Sequence, residues 1–549
     1  MGTYNKHRCP VDLGELGHIE GVTITEKLPN DPSHCVSYYF GGIPYALPPT
    51  GPYRFRRPRY LPSQYTYGTK SNPGRFAGGT GLCPQPSFLA EPDTTLWTED
   101  CLQLNIWKPH GHPPSRGWPV LFYIHGGWLQ FGTANTPATA YAPLLKDLEI
   151  NDRFIIVMPS YRLNAFGFVA SKELEAEAEK NGESVGNMGF WDQRAALEWT
   201  FKNIRAFRGD PSNITVAGYS AGSHSTFQQL AHDLSLPKES AIIKRAIMWS
   251  NGPGVQPKTI ADHQKQFDEL LAALGISSSL SPSEKLARLR QVPAKKIVDV
   301  QENLKYHEFR GTSDGTFIDK KLIDRINDGT FARKIKERGI KILNGECRDE
   351  HYLYGIWRAP GNSYDAVVKR MEADFPEHVV KRLINLYSPD RKLPKDCKDW
   401  PDAFGKMYAD MQVHGLERGF ANKLSEGGLV VGKDLLRYRI DWRAKCVDTK
   451  IPPSWKVTHS TDLAIWFWGN GEGDGLTASE KEICKEFNTI FSHFVRGRNV
   501  QWEHDGPAVM RRLNAQGVTD YWEDDRWEDG LRIWAAVNGP DSEKTGTKL

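Results

Sequence analysis

A chain of 549 residues with 39% hydrophobic and 25% charged residues has the balance of a globular protein with material for a large core. Its net charge of +3 is small for this length, and the densest basic run, Arg54-Phe55-Arg56-Arg57-Pro58-Arg59, follows a Pro/Gly-rich turn and reads as solvated surface, so a nucleic-acid partner is not expected. No stretch of 18 apolar residues occurs, which argues against a membrane-spanning helix.

At the start, Met1 to Arg8 is followed by no apolar core of a signal peptide. The eight cysteines are sparse and form no CxxC pair, so a reduced, cytoplasmic protein is expected, with the acceptor Asn213-Ile214-Thr215 unused for glycosylation. Val36 to Phe40 alternates like a strand. Leu102 to Trp107, Pro119 to Ile124, Phe154 to Met158, Ile214 to Gly218, Ile243 to Trp249 and Ile340 to Leu343 are short, nearly continuous apolar runs of the kind that fit parallel strands covered on both faces. Asp192 to Phe207 carries Ala195, Ala196, Trp199, Ile204 and Phe207 on helical spacing. Residues of about 255–335 and 360–430 are rich in Lys, Glu and Leu at helical spacing and read as helical insertions over the sheet. The chain is therefore expected to be one α/β domain over 1–549, a large and mostly parallel sheet flanked by helices. It ends in Thr547-Lys548-Leu549, one residue from a Ser-Lys-Leu peroxisomal address, which adds the peroxisome as a weaker expectation.

Gly218-Tyr219-Ser220-Ala221-Gly222 fits G-x-S-x-G. The pattern gains meaning from its surroundings, because it follows the run Ile214-Thr215-Val216-Ala217 and precedes a helix through Phe227 and Leu230. Strand, sharp turn and helix is the context that presents a serine as a nucleophile. Upstream, the Pro119–Ile124 run ends at His125-Gly126-Gly127-Trp128. Attack on an ester creates an oxyanion that needs N–H donors already aimed at it. A glycine loop supplies them without side chains in the way, and the N–H of Ala221, next to the nucleophile, completes the set. The ordinary alternatives are a plain glycine turn and a Trp128 buried in the core.

These motifs, together with Gly42-Ile43-Pro44-Tyr45-Ala46, Glu99-Asp100-Cys101-Leu102-Gln103-Leu104-Asn105, Tyr161-Arg162-Leu163, Gly186-Asn187-Met188-Gly189 and Gly209-Asp210-Pro211, resemble the type-B carboxylesterase/lipase family in its own order, over most of residues 36–255. The resemblance is to cholinesterase-like α/β-hydrolases, fungal intracellular members in particular. It implies the α/β-hydrolase fold and a serine esterase without metal or organic cofactor. It also implies a base in the His-x-x-Asp-Leu loop, here His459-Ser460-Thr461-Asp462-Leu463. The acid would lie in a loop after a strand, here Asp349-Glu350, with Asp349 and Glu346 as alternatives to Glu350. A supporting serine would stand at Ser250, and a disulfide could join Cys83 to Cys101. The order Ser220, Glu350, His459 is that of the fold's triad. Three positions depart from the family: Trp128 replaces a glycine, Tyr219 a glutamate and His351 a glycine. The expectation is a serine carboxylic-ester hydrolase acting on a small to medium apolar ester through Ser220, Glu350 and His459, with Gly127, Trp128 and Ala221 holding the oxyanion. An acyltransferase or cyclase on the same triad, and a non-catalytic binding protein, are the alternatives. The acyl group, the alcohol group and the oligomeric state stay open at this point.

Overall fold

The structure is a computed structural model and describes residues 4–89, 91–148, 152–504 and 506–539; Thr547-Lys548-Leu549 lies outside them. Its centre is one 13-stranded sheet. Twelve strands form a continuous path, here numbered β1 (Tyr4–Asp12), β2 (His18–Leu28), β3 (Asp31–Pro44), β4 (Gln103–Pro109), β5 (Trp118–Ile124), β6 (Ile155–Pro159), β7 (Gly209–Tyr219), β8 (Ile243–Trp249), β9 (Lys341–Cys347), β10 (Leu435–Ile440), β11 (Val509–Leu513) and β12 (Thr519–Glu523). Their spatial order is β1-β2-β3-β4-β6-β5-β7-β8-β9-β10-β11-β12, and a two-residue strand at Gly74–Arg75 pairs with β2. From β6 to β11 every neighbouring pair is parallel, while both ends of the sheet are antiparallel.

The central strands are covered on both faces, and their residues alternate between two hydrophobic clusters. Val216, Ala246, Met248 and Ile342 belong to one cluster, and Ala217, Ile247, Trp249 and Leu343 to the other. Side chains one apart on a strand point to opposite faces, so a strand buried on both sides must be apolar at every position. β5 satisfies this throughout, with all seven residues buried. Helix α1 (Met188–Asn203) packs beside helix α2 (Ala221–Ser235), which follows β7 directly. The expected helix over 192–207 starts four residues earlier and ends in a 3-10 turn at Ile204–Phe207.

Between β8 and β9 the chain forms helices at Ile260–Ala273, Pro282–Gln291, Ala294–Gln301, Leu322–Asn327 and Thr330–Arg338. Between β9 and β10 it forms α3 (His351–Tyr354), α4 (Tyr364–Asp374) and further helices at Glu377–Tyr387, Trp400–Gln412 and His414–Glu426. No helix among the described residues is long and apolar enough to cross a membrane.

The basic run differs from its reading as plain solvated surface. Arg54 is buried, pairs with Glu99 and donates to the carbonyls of Arg290 and Val292, while Arg57 and Arg59 lie over the rings of Trp191 and Tyr53. Guanidinium groups can be buried here because a carboxylate and carbonyls meet their donors and aromatic faces meet their planes. Asn213 also has its side chain engaged, donating to the Arg496 carbonyl at 3.2 Å.

Candidate active site

Ser220 stands at the sharp junction of β7 and α2, with φ 57° and ψ −128°. A non-glycine residue in this region is strained, and such strain is held only where the surroundings enforce it. Here the two glycines of the motif provide the room. A Cβ on Gly218 would lie 2.1 Å from the Gly222 carbonyl oxygen, and one on Gly222 would lie 2.0 Å from that of Ile124. The Ser220 N–H donates to the Trp249 carbonyl at 2.9 Å, tying the junction to β8. Ser220 itself is buried at the N-terminus of a 15-residue helix, where the macrodipole favours negative charge.

The loop after β5 comes directly against this serine. A Cβ on Gly126 would sit 2.9 Å from Ser220 Cβ, so only glycine permits the approach. Gly127, Trp128 and Leu129 then run at φ 109°, 54° and 65°. Consecutive residues of this kind turn several backbone N–H groups to one side, the geometry that receives anions. The Gly127 carbonyl closes the loop by accepting from the N–H groups of Gln130 and Phe131. The Trp128 carbonyl accepts from Arg310 Nη1 at 2.6 Å and from Gln130 Nε2 at 3.1 Å, which fixes the peptide that follows it.

Glu350 and His459 are in contact, with His459 Nδ1 2.6 Å from Glu350 Oε2, and both side chains are buried. The other oxygen of Glu350 accepts from the Cys347 N–H at 2.9 Å. A carboxylate at Nδ1 favours the tautomer that leaves Nε2 free to take a proton. Nε2 of His459 is buried and has no hydrogen-bond partner.

The ring of His459 lies 4.6 Å from that of Tyr354 and 5.4 Å from that of Tyr219. The Tyr354 hydroxyl lies 3.5 Å from the Ser250 carbonyl, and its ring stands against the imidazole. Burial, together with Glu350, pushes the Tyr354 phenol well above its ordinary range, and burial does the same to Tyr219. Both rings therefore stay neutral beside the imidazole.

The remaining candidates lie elsewhere. Asp349 accepts from the Val457 N–H at 3.1 Å and pairs with Arg348. Glu346 pairs with Arg418, Arg439 and His414. His125 stacks on Tyr161 and hydrogen-bonds the Gly126 carbonyl, and His224 hydrogen-bonds that of Gly252; burial lowers both to about 4, so they are neutral at pH 7. Ser250 is buried, and its hydroxyl makes no hydrogen bond to Glu350 or to any other group among the described residues, while Glu350 accepts from the Cys347 N–H. Cys83 and Cys101 are both buried free thiols rather than a disulfide, close enough that Cys83 raises the Cys101 thiol.

Trp128 is buried and stacks on Trp357 at 5.0 Å, with Phe88, Phe131 and Tyr354 around it. Through Tyr354 this aromatic cluster reaches His459. Sequence reasoning missed Tyr354 and Arg310. The first carries a signal, since it lies four residues past Glu350 on the same turn of chain. The second carries none, because it arrives from the helical segment between β8 and β9. Two cavities of about 530 and 660 Å³ contain none of the predicted site residues in their walls, whereas a smaller one of about 70 Å³ is lined by Ala221. Among the described residues no cluster of three or more His, Cys, Asp or Glu side chains is arranged to hold a metal ion.

Comparison with known proteins agrees with this architecture. A carboxylic ester hydrolase of Gibberella moniliformis is 51% identical over 537 residues, covering 97% of each chain. An uncharacterised esterase/lipase of Schizosaccharomyces pombe is 37% identical over 97% of each chain. The para-nitrobenzyl esterase of Bacillus subtilis is 29% identical over 86% of this chain and 87% of its own. The crystal structure of Aspergillus niger EstA superimposes with a TM-score of 0.73 at 21% identity, over 97% of this chain and 99% of that one, and so shares the α/β-hydrolase fold. Residues 10–523 match the model of the carboxylesterase family, and the chain, a carboxylic-ester hydrolase, belongs to that family.

Proposed function

We propose that ester cleavage runs through Ser220, His459 and Glu350 by way of an acyl-enzyme. His459 Nε2 takes the Ser220 hydroxyl proton as the oxygen attacks the ester carbonyl carbon. Glu350 holds the imidazole by Nδ1 and stabilises its charged form. The N–H groups of Gly127, Trp128 and Ala221 receive the oxyanion, each donor being worth about 3 kcal/mol of barrier. The imidazolium returns the proton to the departing alcohol, and water, activated by the same histidine, then releases the acid and restores Ser220. The observation that carries this reading is the buried Glu350–His459 contact at 2.6 Å, with the opposite ring nitrogen unpartnered.

The aromatic cluster of Trp128, Phe88, Phe131 and Trp357 supports a small to medium ester with an apolar group on the side of His459. Because that nitrogen must protonate the leaving oxygen, the apolar group is the alcohol.

A fluorophosphonate probe should label Ser220, located by peptide mass. Ser220→Ala should lose both the label and p-nitrophenyl acetate hydrolysis while keeping the wild-type melting transition. Near wild-type hydrolysis by the folded variant would overturn the reading.

A further inference from the structure

The cavity beside Ala221 is not apolar. Leu129, Ala221, His224, Lys258, Arg310 and Asp374 are among the residues that line it. Ala221 follows the nucleophile and Leu129 follows Trp128, so the cavity shares a wall with the place where an ester carbonyl would sit. None of the residues that touch the His459 ring belongs to it: Tyr219, Tyr354 and Glu350 are all absent from its walls. A leaving alcohol must face His459, so the space on the Ala221 side belongs to the acyl chain.

Its charged lining is two cations, Lys258 and Arg310, against one carboxylate, Asp374, a balance that favours an anion. Arg310 and Arg370 share the buried Asp374, and these two arginines together with Arg358 share the buried Glu308. With Glu302, which pairs with Arg358 from the more exposed side, three guanidinium groups meet three carboxylates, so this network is balanced and Lys258 is the cation that stands outside it. Lys258 adds a fourth cation. Its ammonium donates to the carbonyls of Glu372 and Ala373 at 2.7 and 2.9 Å, at the C-terminal end of α4, and an ammonium has three N–H donors. Asp262, held in a capping box with Thr259, and Glu372 also act on the Lys258 charge. Burial lowers the Lys258 ammonium to about 8, which an incoming carboxylate would reverse by pairing with it. The Lys258 contacts at α4 explain why the side chain is anchored, but helix capping alone does not call for a cavity beside it. A volume of about 70 Å³ holds two waters at roughly 30 Å³ each, or a carboxylate on a short methylene arm.

We propose that this cavity is the acyl pocket of the Ser220 site and selects esters whose acyl chain ends in a carboxylate, with Lys258 as the residue that recognises it. The proposal rests on Ser220 being the nucleophile, so its test uses protein already shown to take the fluorophosphonate label and to hydrolyse p-nitrophenyl acetate. Ethanol release is compared for monoethyl succinate and ethyl 4-methylpentanoate, in which an isopropyl group replaces the carboxylate at nearly the same shape. The wild-type protein should favour monoethyl succinate by tenfold or more in kcat/KM. Lys258→Gln keeps an amide N–H₂ group and removes the charge; it should bring the ratio to one or below. A wild-type ratio of one or less in labelled, active protein overturns the proposal whether or not the variant folds. A folded Lys258→Gln protein that keeps the wild-type ratio overturns the role of Lys258.

Discussion

Two glutamates four residues apart each hold a histidine by Nδ1 at 2.6 Å: Glu346 holds His414, and Glu350 holds His459. Both carboxylates and both imidazoles are buried. What surrounds them differs. Glu346, on β9, also meets Arg418 and Arg439, so its charge is already spent on two guanidinium groups. Glu350, just past the strand, meets only the Cys347 N–H besides its histidine. Beyond His414 lies a cavity of about 530 Å³ without a serine in its walls, whereas His459 stands beside the ring of Tyr219, the residue before Ser220. A glutamate–histidine contact is therefore not a base in itself. It needs an uncommitted carboxylate and a nucleophile within reach of the other ring nitrogen.

The sharpest way to break this contrast is to neutralise one carboxylate at a time. Glu350→Gln should lower kcat by about 10⁴-fold, because the amide can no longer hold the histidine in the competent tautomer or stabilise its charged form. Asp349→Asn should lower it by less than about tenfold, since Asp349 binds the Val457 N–H and Arg348 and not the histidine. Steady-state kinetics on p-nitrophenyl acetate decides between them. If Asp349→Asn is the more damaging, the acid has been assigned to the wrong residue.

Glu346→Gln should act on stability and spare the chemistry. It leaves Arg418 and Arg439 buried without one of their carboxylates, a loss of about 3–5 kcal/mol in urea unfolding at pH 7, with kcat per folded molecule within threefold of wild type. Burial raises the Glu346 carboxyl pKa, but Arg418, His414 and Arg439 outweigh it and hold the group well below 4.5. A carboxyl depressed in the folded state stabilises fully above its unfolded value and loses that contribution as pH falls through the folded value. The gap between wild type and variant should thus be widest above pH 4.5 and shrink below it. A gap that widens in acid would contradict the ion-pair assignment.

The parts of the molecule that were legible in the sequence share one physical property. β5 and β6 are buried at every position, as are β7 over Val216–Gly218 and β8 over Ala246–Trp249, and burial on both faces leaves an unbroken apolar run there. β10 does not read this way, because Leu435–Ile440 contains Arg437 and Arg439. Arg437 is completely buried all the same, paired with Glu417 from the preceding helix. Only the tertiary partner makes such a strand possible, and no local pattern announces the partner. Ser220 and the glycine loop were visible because strained turns demand glycines at fixed offsets. Arg310 was not visible as a site residue, since its role arises where a distant segment meets the Trp128 carbonyl, whereas Tyr354 could have been found from its place four residues past Glu350.

Trp128 tests the loop side of the contrast by a smaller and less usual effect. Its indole is 4% exposed and packed against Phe88, Phe131, Tyr354 and Trp357, so truncation to alanine or glycine removes a large buried surface, worth about 3–5 kcal/mol before relaxation. Two terms oppose that loss. The indole N–H is buried without a partner, and the residue sits at φ 54°, where an L side chain costs about 1–2 kcal/mol. Both substitutions remove the unpaired N–H, but only glycine also removes the backbone strain. Trp128→Gly should therefore be more stable than Trp128→Ala by about 1 kcal/mol in urea unfolding, the reverse of the order expected in ordinary backbone. Opening the cluster next to Tyr354 should also raise kcat/KM for esters of bulky alcohols relative to ethyl esters by several fold in both variants. If alanine is the more stable of the two, the loop is not held at positive φ in the folded protein. If the ester ratio does not move, the indole is core and not a wall of the alcohol side, and selectivity there must come from Tyr354 alone.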